Sequence, residues 1–172
     1  MMEGAYFIEI QKHEDERGFF SRSWCKNEFE DHGLNTRLVQ ENIGFSLKKG
    51  TLRGLHYQIP PYEEAKVIRC TKGAIYDVIV DLRPDSKTYK QWLSIELNCD
   101  NRSILYIPEG FAQGYITLKN NTEIYYHTTQ FYAPEFARGI RYDDSSIGIN
   151  WPIKVSVISE ADKNWPNYED NK

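Results

Sequence analysis

The fold is decided by residues 66–82, which read KVIRCTKGAIYDVIVDL. This stretch holds two runs of apolar and β-branched residues, separated by the pair Lys72-Gly73. β-Branched residues favour extended backbone, and a glycine between two such runs favours a tight turn. The stretch therefore predicts two strands joined as a β-hairpin.

Further strand patterns follow toward the carboxyl terminus. They lie at residues 91–98, 104–107, 115–118 and 123–129. The first alternates polar and apolar side chains, and the others are rich in aromatic and β-branched residues. Helices are predicted only near residues 27–31 and 159–164, the second with Ser159 as its N-cap. Many short strands at this spacing predict an all-β jelly-roll or barrel fold with a few short peripheral helices.

The composition favours one packed domain over residues 1–172, because 40% of the residues are hydrophobic. Only the tail, residues 167–172, is expected to fray. A net charge of -4 gives no general attraction to a nucleic acid polymer. Three widely spaced cysteines without a C-x-x-C pattern argue against a disulfide framework or a zinc ribbon. Neither a secretory signal nor an apolar stretch of roughly 20 residues is visible, so a cytoplasmic protein without membrane contact is expected.

His56 is the first candidate for chemistry. It lies in residues 53–58, RGLHYQ, and Lys66 follows ten residues later. A lone histidine fits a general base better than a metal ligand, because metal sites need three or four ligands. A histidine that only satisfies hydrogen bonds in the core is the commoner alternative, and this segment alone does not decide between them.

Two segments match the positions at which cupin barrels carry metal-binding histidines. They are residues 54–58, GLHYQ, and residues 108–113, PEGFAQ. Gln58 and Gln113 stand where imidazoles would be needed, and transition metals prefer imidazole or thiolate ligands. The pattern therefore indicates a cupin barrel that has lost its metal, and no cofactor is expected.

Other side chains could complete a site around His56. Lys66 could stabilise an oxyanion, and Asp162 could orient the imidazole. Tyr126 faces the interior of the barrel only if Tyr125 and His127 face outward, because side chains alternate along a strand. Guanidinium groups near turns and strand ends suit a diphosphate, which they bind in a bidentate manner. These arginines are Arg17, Arg53, Arg69, Arg138 and Arg141.

Taken together, a series of motifs extends from about residue 5 to residue 166. The motifs are DERGFF (15–20), QEN (40–42), GTLRGLHYQ (50–58), KVIR (66–69), GAIYDV (73–78), DLR (81–83), IPEGFA (107–112), FYAP (131–134), RGIRYDD (138–144) and GINWP (148–152). In this set and order, the chain resembles the nucleotide-sugar epimerases typified by dTDP-4-dehydrorhamnose 3,5-epimerase, a metal-free family of cupins.

The resemblance implies a role for each matching position. His56 matches the catalytic base, Asp162 its orienting carboxylate, Tyr126 the proton donor on the opposite sugar face, and Lys66 the group near the C4 oxygen. The positions matching substrate contacts are Arg17, Gln40, Asn42, Arg53, Gln113 and Tyr132. The resemblance also implies a nucleoside-diphosphate sugar as substrate and a homodimer with exchanged strands, for which residues 5–10 offer an edge strand.

The implied reaction is consistent with these groups. A 4-keto sugar has acidic C–H bonds at C3 and C5, and removal of either proton leaves an enolate with its charge on the C4 oxygen. Lys66 can stabilise that charge, and His56 has the chemistry of a base at neutral pH. Return of a proton by Tyr126 from the other face inverts the centre without a metal or redox cofactor.

Several positions depart from the family pattern. Arg22 stands where an acidic residue is usual, Gln113 where histidine is usual and His127 where lysine is common, while Ala137 and Ala161 replace glutamate and lysine. These changes indicate either a different nucleotide-linked 4-keto-6-deoxy sugar, inversion of a single centre, or ordinary drift. A metal-dependent cupin, a non-catalytic sugar-binding cupin and a 3,4-ketoisomerase are the competing functions.

Overall fold

The structure is a computed structural model that describes residues 2–171 of the chain. Its strands are β1 (Tyr6–Ile8), β2 (His13–Asp15), β3 (Gly18–Phe20), β4 (Gln40–Ser46), β5 (Leu52–Gln58), β6 (Lys66–Lys72), β7 (Ala74–Asp81), β8 (Trp92–Asn98), β9 (Ile104–Ile107), β10 (Phe111–Thr117), β11 (Thr122–Thr128) and β12 (Ala137–Gly139). Its helices are α1 (Lys26–Asp31), α2 (Glu160–Lys163) and a 3-10 helix at Tyr168–Asn171. Both α-helices lie where the sequence predicts them.

Ten of these strands form two five-stranded antiparallel sheets. The first sheet has the order β1-β9-β6-β11-β4 and the second the order β12-β5-β10-β7-β8. Strands β2 and β3 form a separate hairpin. The two sheets enclose one interior and make a cupin-type jelly-roll barrel, which confirms the predicted fold class.

Strands β6 and β7 do not form the hairpin that their sequence predicts. β6 pairs with β9 and β11 in the first sheet, whereas β7 pairs with β8 and β10 in the second. The chain crosses between the sheets at Gly73, whose φ is 78°. A Cβ at Gly73 would lie 2.4 Å from Thr122 Oγ1, so only glycine fits this crossing. Turn residues predict a change of direction, but they do not determine which strands will pair.

Apolar side chains fill much of the space between the sheets. The buried core includes Ile68, Ile75, Ile79, Leu97, Leu105 and Ile124. A second buried cluster includes Val78, Val80 and Ile140, and here residues of β7 alternate between the two clusters. Helix α1 packs on the first sheet through Phe29, whose ring makes an edge contact with Tyr106. The remaining interior holds a cavity.

The carboxyl-terminal segment runs beside β5 and brings α2 to that cavity. The Leu52 N–H donates to Val157 O (2.8 Å), and the Ser156 N–H donates to Gly50 O (2.8 Å). Ser159 caps α2, because its Oγ accepts a hydrogen bond from the Asp162 N–H at 3.0 Å. This confirms the predicted cap and fixes the position of Asp162.

Beyond α2, the 3-10 helix is attached to the barrel by Tyr168, whose N–H donates to Asp144 Oδ2 at 2.6 Å. Residue 172, the end of the tail for which fraying is predicted, lies outside the described residues. Within residues 2–171, no helix is long and apolar enough to cross a membrane. A single domain over the whole chain remains a prediction.

Candidate active site

A cavity of about 700 Å³ opens between the two sheets. Residues of β4, β6 and β11 line it from the first sheet, and residues of β5 and β12 from the second, with α2 at one side. Eight of the ten predicted site residues line this cavity. They are Gln40, Asn42, Arg53, His56, Lys66, Tyr126, Tyr132 and Asp162.

His56 and Asp162 form a close pair in this cavity. Their Nε2 and Oδ1 atoms are 2.5 Å apart, and the imidazole is about half exposed while the carboxylate is buried. Burial by itself raises the pKa of Asp162, but the hydrogen bond and charge of His56 outweigh it and hold that pKa below its usual value. A carboxylate on one ring nitrogen leaves the other nitrogen available to accept a proton.

Asp162 is held by groups other than His56. Its Oδ2 accepts a hydrogen bond from the Gly54 N–H at 3.3 Å, and its Oδ1 from Trp165 Nε1 at 3.4 Å. The Trp165 ring also meets the His56 ring edge to face, with centroids 6.4 Å apart. The carboxylate and the imidazole therefore have a fixed mutual orientation.

Gly139 leaves the space that Trp165 occupies. A Cβ at this position would lie 2.3 Å from the indole ring. We predict that Gly139→Ala lowers the free energy of unfolding by about 1–3 kcal/mol, because the indole must move. Chemical denaturation would measure this change. In a double-mutant cycle with Trp165→Leu, the loss from Gly139→Ala should become smaller, and strict additivity would contradict the explanation.

Lys66 reaches the cavity from the opposite sheet to His56. Its Nζ lies 3.3 Å from Glu64 Oε1, and both side chains are largely buried, with exposed fractions of 10% and 12%. A buried lysine with one carboxylate partner can present its remaining ammonium protons to a ligand oxygen. The imidazole and the ammonium group therefore face one enclosed space.

Tyr126 faces this space as well. Its neighbours Tyr125 and His127 lie on the outer face of the sheet, where His127 Nε2 is 3.2 Å from Glu41 Oε2. The predicted alternation is thus confirmed. Burial raises the pKa of Tyr126, the negative charge of Glu64 raises it further, and Arg53 lowers it. A phenol in this environment stays protonated and is suited to donate a proton.

Gln113 lies outside the main cavity and lines a smaller one of about 250 Å³, which His56, Lys66 and Tyr126 also line. Its Nε2 donates to Asp77 Oδ1 at 2.7 Å. Burial raises the pKa of Asp77 to about 7, and its Oδ2 has no hydrogen-bond partner in the described part of the chain. The Gln113 amide is therefore engaged with this carboxyl group.

Arg17 is the predicted site residue that the structure does not bring to the site of its own chain. It lies between β2 and β3, where its guanidinium binds Asp15 at 2.5 Å and its side chain is 83% exposed. Arg22 likewise lies away from the cavity and pairs with Glu28 at 3.1 Å. Among residues 2–171, β2 and β3 pair only with each other, and Arg17 therefore lies outside the barrel interior.

Glu64 and Trp165 are among the lining residues that the sequence analysis does not predict. Glu64 precedes Lys66 by two residues, a spacing that puts both side chains on one face of an extended chain. Trp165 follows Asp162 by three residues, the spacing of neighbours on one helix face. Of the departures from the family pattern, Ala137 and Ala161 do line the cavity.

Gln58, at a former metal-ligand position, binds backbone groups instead. Its Nε2 donates to Tyr62 O (2.8 Å) and Phe131 O (3.2 Å), and its Oε1 accepts from the Ala133 N–H (2.7 Å). Within residues 2–171, no three histidine, cysteine, aspartate or glutamate side chains are grouped so that they could hold a metal ion. The donors around His56 therefore do not fit a transition-metal site.

Three similar proteins relate this geometry to known chemistry. The dTDP-4-dehydrorhamnose 3,5-epimerase of Methanothermobacter thermautotrophicus is 40% identical over 173 residues, which cover 99% of this chain and 92% of that protein. The Legionella pneumophila dTDP-6-deoxy-D-glucose-3,5-epimerase, solved in complex with dTDP-4-keto-L-rhamnose, superposes with a TM-score of 0.88 at 36% identity, covering 95% of this chain and 87% of that one. A 3'-monoepimerase of Streptomyces bikiniensis, solved with dTDP-quinovose, gives a TM-score of 0.88 at 30% identity, covering 96% and 84%.

The family model described as dTDP-4-dehydrorhamnose 3,5-epimerase matches residues 1–170, nearly the whole chain. The match includes both sheets, the cavity between them and the segment that carries Asp162. The chain therefore belongs to the dTDP-4-dehydrorhamnose 3,5-epimerase family.

Proposed function

We propose that this protein epimerises a nucleotide-linked 4-keto-6-deoxy sugar at C3, C5 or both, with dTDP-4-dehydro-6-deoxyglucose as the expected substrate. The observation that carries the proposal is the His56–Asp162 pair, which shares one cavity with Lys66 and Tyr126. A base, an electrophile and a proton donor around one cavity are the three groups that proton exchange beside a ketone requires.

His56 begins the reaction by removing a proton from the carbon next to the C4 ketone. The C–H electron pair forms a C=C bond, and the carbonyl electrons move to the C4 oxygen, where the Lys66 ammonium stabilises the negative charge. The Tyr126 hydroxyl then donates its proton to the carbon from the other face, and the ketone forms again with inverted configuration. The charged His56 releases its proton to solvent, and the tyrosinate takes one up.

Binding of the nucleoside diphosphate falls to the groups at the cavity mouth. The Arg53 guanidinium lines the cavity and is oriented by Phe45 O, to which Nη2 donates at 3.0 Å. Gln40 fixes the loop that carries Tyr132, because its Oε1 accepts a hydrogen bond from the Tyr132 N–H at 2.7 Å. The Tyr132 ring is 64% exposed and offers a surface on which a base can stack. The dTDP-sugar ligands of the two related crystal structures support this assignment.

Deuterium incorporation tests the function. The protein would be incubated with dTDP-4-dehydro-6-deoxyglucose in D₂O, and the product analysed by NMR. Deuterium at both C3 and C5 supports the double epimerase, and deuterium at one centre supports a monoepimerase, the activity of the Streptomyces bikiniensis relative. Binding of the sugar without any deuterium exchange would indicate a non-catalytic sugar-binding protein. UDP-, CDP- and GDP-linked 4-keto sugars in the same assay would identify the nucleotide base.

The reaction as proposed uses no metal and no redox cofactor. We expect the purified protein to keep its full rate after treatment with a chelator, with metal analysis below one equivalent per chain. A rate that depends on added metal would favour the metal-dependent alternative.

We propose that the protein acts in the cytoplasm as a homodimer in which the β2–β3 hairpin of each copy reaches the cavity of the other. This would bring Arg17 to the substrate, and it would cover Phe20, which is 74% exposed in the single chain. Light scattering should give the mass of a dimer, and cell fractionation tests the compartment.

Subunit mixing tests the contribution of Arg17. Arg17→Gln and His56→Gln variants should each have low activity. Refolded together, they should recover about a quarter of the wild-type rate, because half of the random dimers carry one complete site. No recovery in a verified mixed dimer would contradict exchange of the hairpin.

A further inference from the structure

Glu64 is a buried carboxylate in the cavity with no role so far. Its Oε1 lies 3.3 Å from Lys66 Nζ, and its negative charge acts on Tyr126. Its side chain is 12% exposed, so solvent screens its charge only weakly. A buried charge that is paired with one group of a reaction and acts on another through space affects both of them.

We propose that Glu64 is a positioning residue of the epimerase reaction, which holds the Lys66 ammonium at the enolate oxygen and keeps Tyr126 a neutral phenol. This inference rests on the function proposed above. Glu64 itself touches neither the reacting carbon nor the C4 oxygen, and it acts through Tyr126 and Lys66, which do.

The position of the carboxylate is set by Gln58. Gln58 Nε2 approaches Glu64 Oε2 at 3.4 Å, and the same amide binds the backbone at Phe131 and Ala133. Since Gln58 is buried and anchored to three backbone groups, it can fix the rotamer of Glu64. Glu64 in turn restrains Lys66, whose four-carbon side chain would otherwise sample several rotamers.

The charge of Glu64 balances cations around Tyr126. Apart from Glu64, the ionisable groups that line the cavities beside Tyr126 are Arg53, His56 and Tyr57 on β5, Lys66 on β6, Tyr115 on β10, Tyr132 after β11, Arg138 on β12 and Asp162 on α2, with Asp77 on β7 behind Gln113. Arg53 lowers the pKa of Tyr126, and Glu64 is the carboxylate that raises it among the described residues. Asp162 is paired with His56, which leaves Glu64 as the counter-charge on this side.

The charge of Glu64 acts on Tyr126 both before and after the phenol donates its proton. Before proton transfer, the phenol must carry its proton although the cationic side chains of Arg53, Lys66 and Arg138 line the same cavity. After transfer, the tyrosinate must regain a proton, and a neighbouring carboxylate favours that step by repelling the anion. Lys66 meanwhile stays beside the C4 oxygen because its partner is fixed.

The test is Glu64→Gln, which keeps the shape of the side chain and removes its charge. We expect kcat to fall about tenfold with little change in KM, and the alkaline limb of the kcat profile to move to lower pH. Glu64→Asp, which keeps the charge but shortens the reach, should retain the wild-type alkaline limb and lose only rate. Glu63→Gln, the matched control on the adjacent residue, should change neither the rate nor the pH profile.

An NMR titration of Tyr126, which needs no catalytic turnover, tests this inference separately from the proposed function. In protein labelled with ring-¹³C tyrosine, the Tyr126 signal is the one lost in Tyr126→Phe, and it should titrate at lower pH in Glu64→Gln than in wild type. Unchanged titration together with an unchanged alkaline limb would overturn the role of Glu64. A wild-type protein that shows no solvent exchange with any 4-keto sugar would instead overturn the proposed function.

Discussion

Replacing His56 with glutamine should reduce both epimerisation and solvent exchange by roughly 10²- to 10⁴-fold. Glutamine preserves approximate size and a hydrogen bond to Asp162, but its amide cannot accept a proton near neutral pH. Both reactions begin with proton removal, so both should fall together. NMR of the sugar in D₂O measures them in one experiment, and affinity for dTDP should change little.

His32→Gln is the matched control, because His32 is exposed and hydrogen-bonds the Glu28 carbonyl (2.8 Å) far from the cavity. It should leave both rates at the wild-type value. Asp162→Asn should lower the same rates by a smaller factor, since the base remains but its orientation and charge stabilisation weaken. Normal exchange in His56→Gln would show that another group removes the proton.

Tyr126→Phe should separate exchange from inversion. Phenylalanine fills the same space but carries no hydroxyl, so inversion should fall by roughly 10²- to 10⁴-fold. His56 can still remove a proton and return a deuteron on the same face. We therefore expect deuterium in recovered substrate of unchanged configuration, while epimerised product is nearly absent. Coupling constants in the NMR spectrum distinguish the two sugars.

Tyr125→Phe provides the control for this variant. Tyr125 neighbours Tyr126 on β11 but faces the outer side of the sheet, so its replacement should leave inversion at the wild-type rate. Inversion at a normal rate in Tyr126→Phe would mean that water or another side chain supplies the proton. Loss of exchange along with inversion would mean that the phenol is needed already for proton removal.

The sequence predicts much of this site because strand and helix periodicity place side chains. Alternation on β11 requires Tyr126 to face inward once Tyr125 and His127 face outward. Ser159 marks the start of α2, and its side chain accepts a hydrogen bond from the N–H three residues on, which places Asp162 in the first turn. The resemblance to the epimerase family singles out His56, Lys66, Tyr126 and Asp162, and these local rules are consistent with their meeting at one cavity.

Other features depend on contacts between distant parts of the chain. Gly73 indicates a turn, but the pairing of β6 with β9 and β11 follows from packing of the whole barrel. In the sequence, Glu64 looks like part of an ordinary charged loop, because its ion pair with Lys66 and its contact with Gln58 depend on the folded barrel. The matching motif around Arg17 suggests substrate contact, whereas its location depends on how the hairpin packs.

The carboxylate partner of the imidazole comes from a point 106 residues further along the chain. During synthesis, all twelve strands and the base emerge before Asp162 does. A nascent or truncated polypeptide ending at residue 158 would therefore contain a nearly full barrel without the His56–Asp162 pair. On the proposed mechanism, competence for proton abstraction would arise only when the segment that carries Asp162 docks beside β5, so proteolysis before that residue should abolish activity while sparing both sheets.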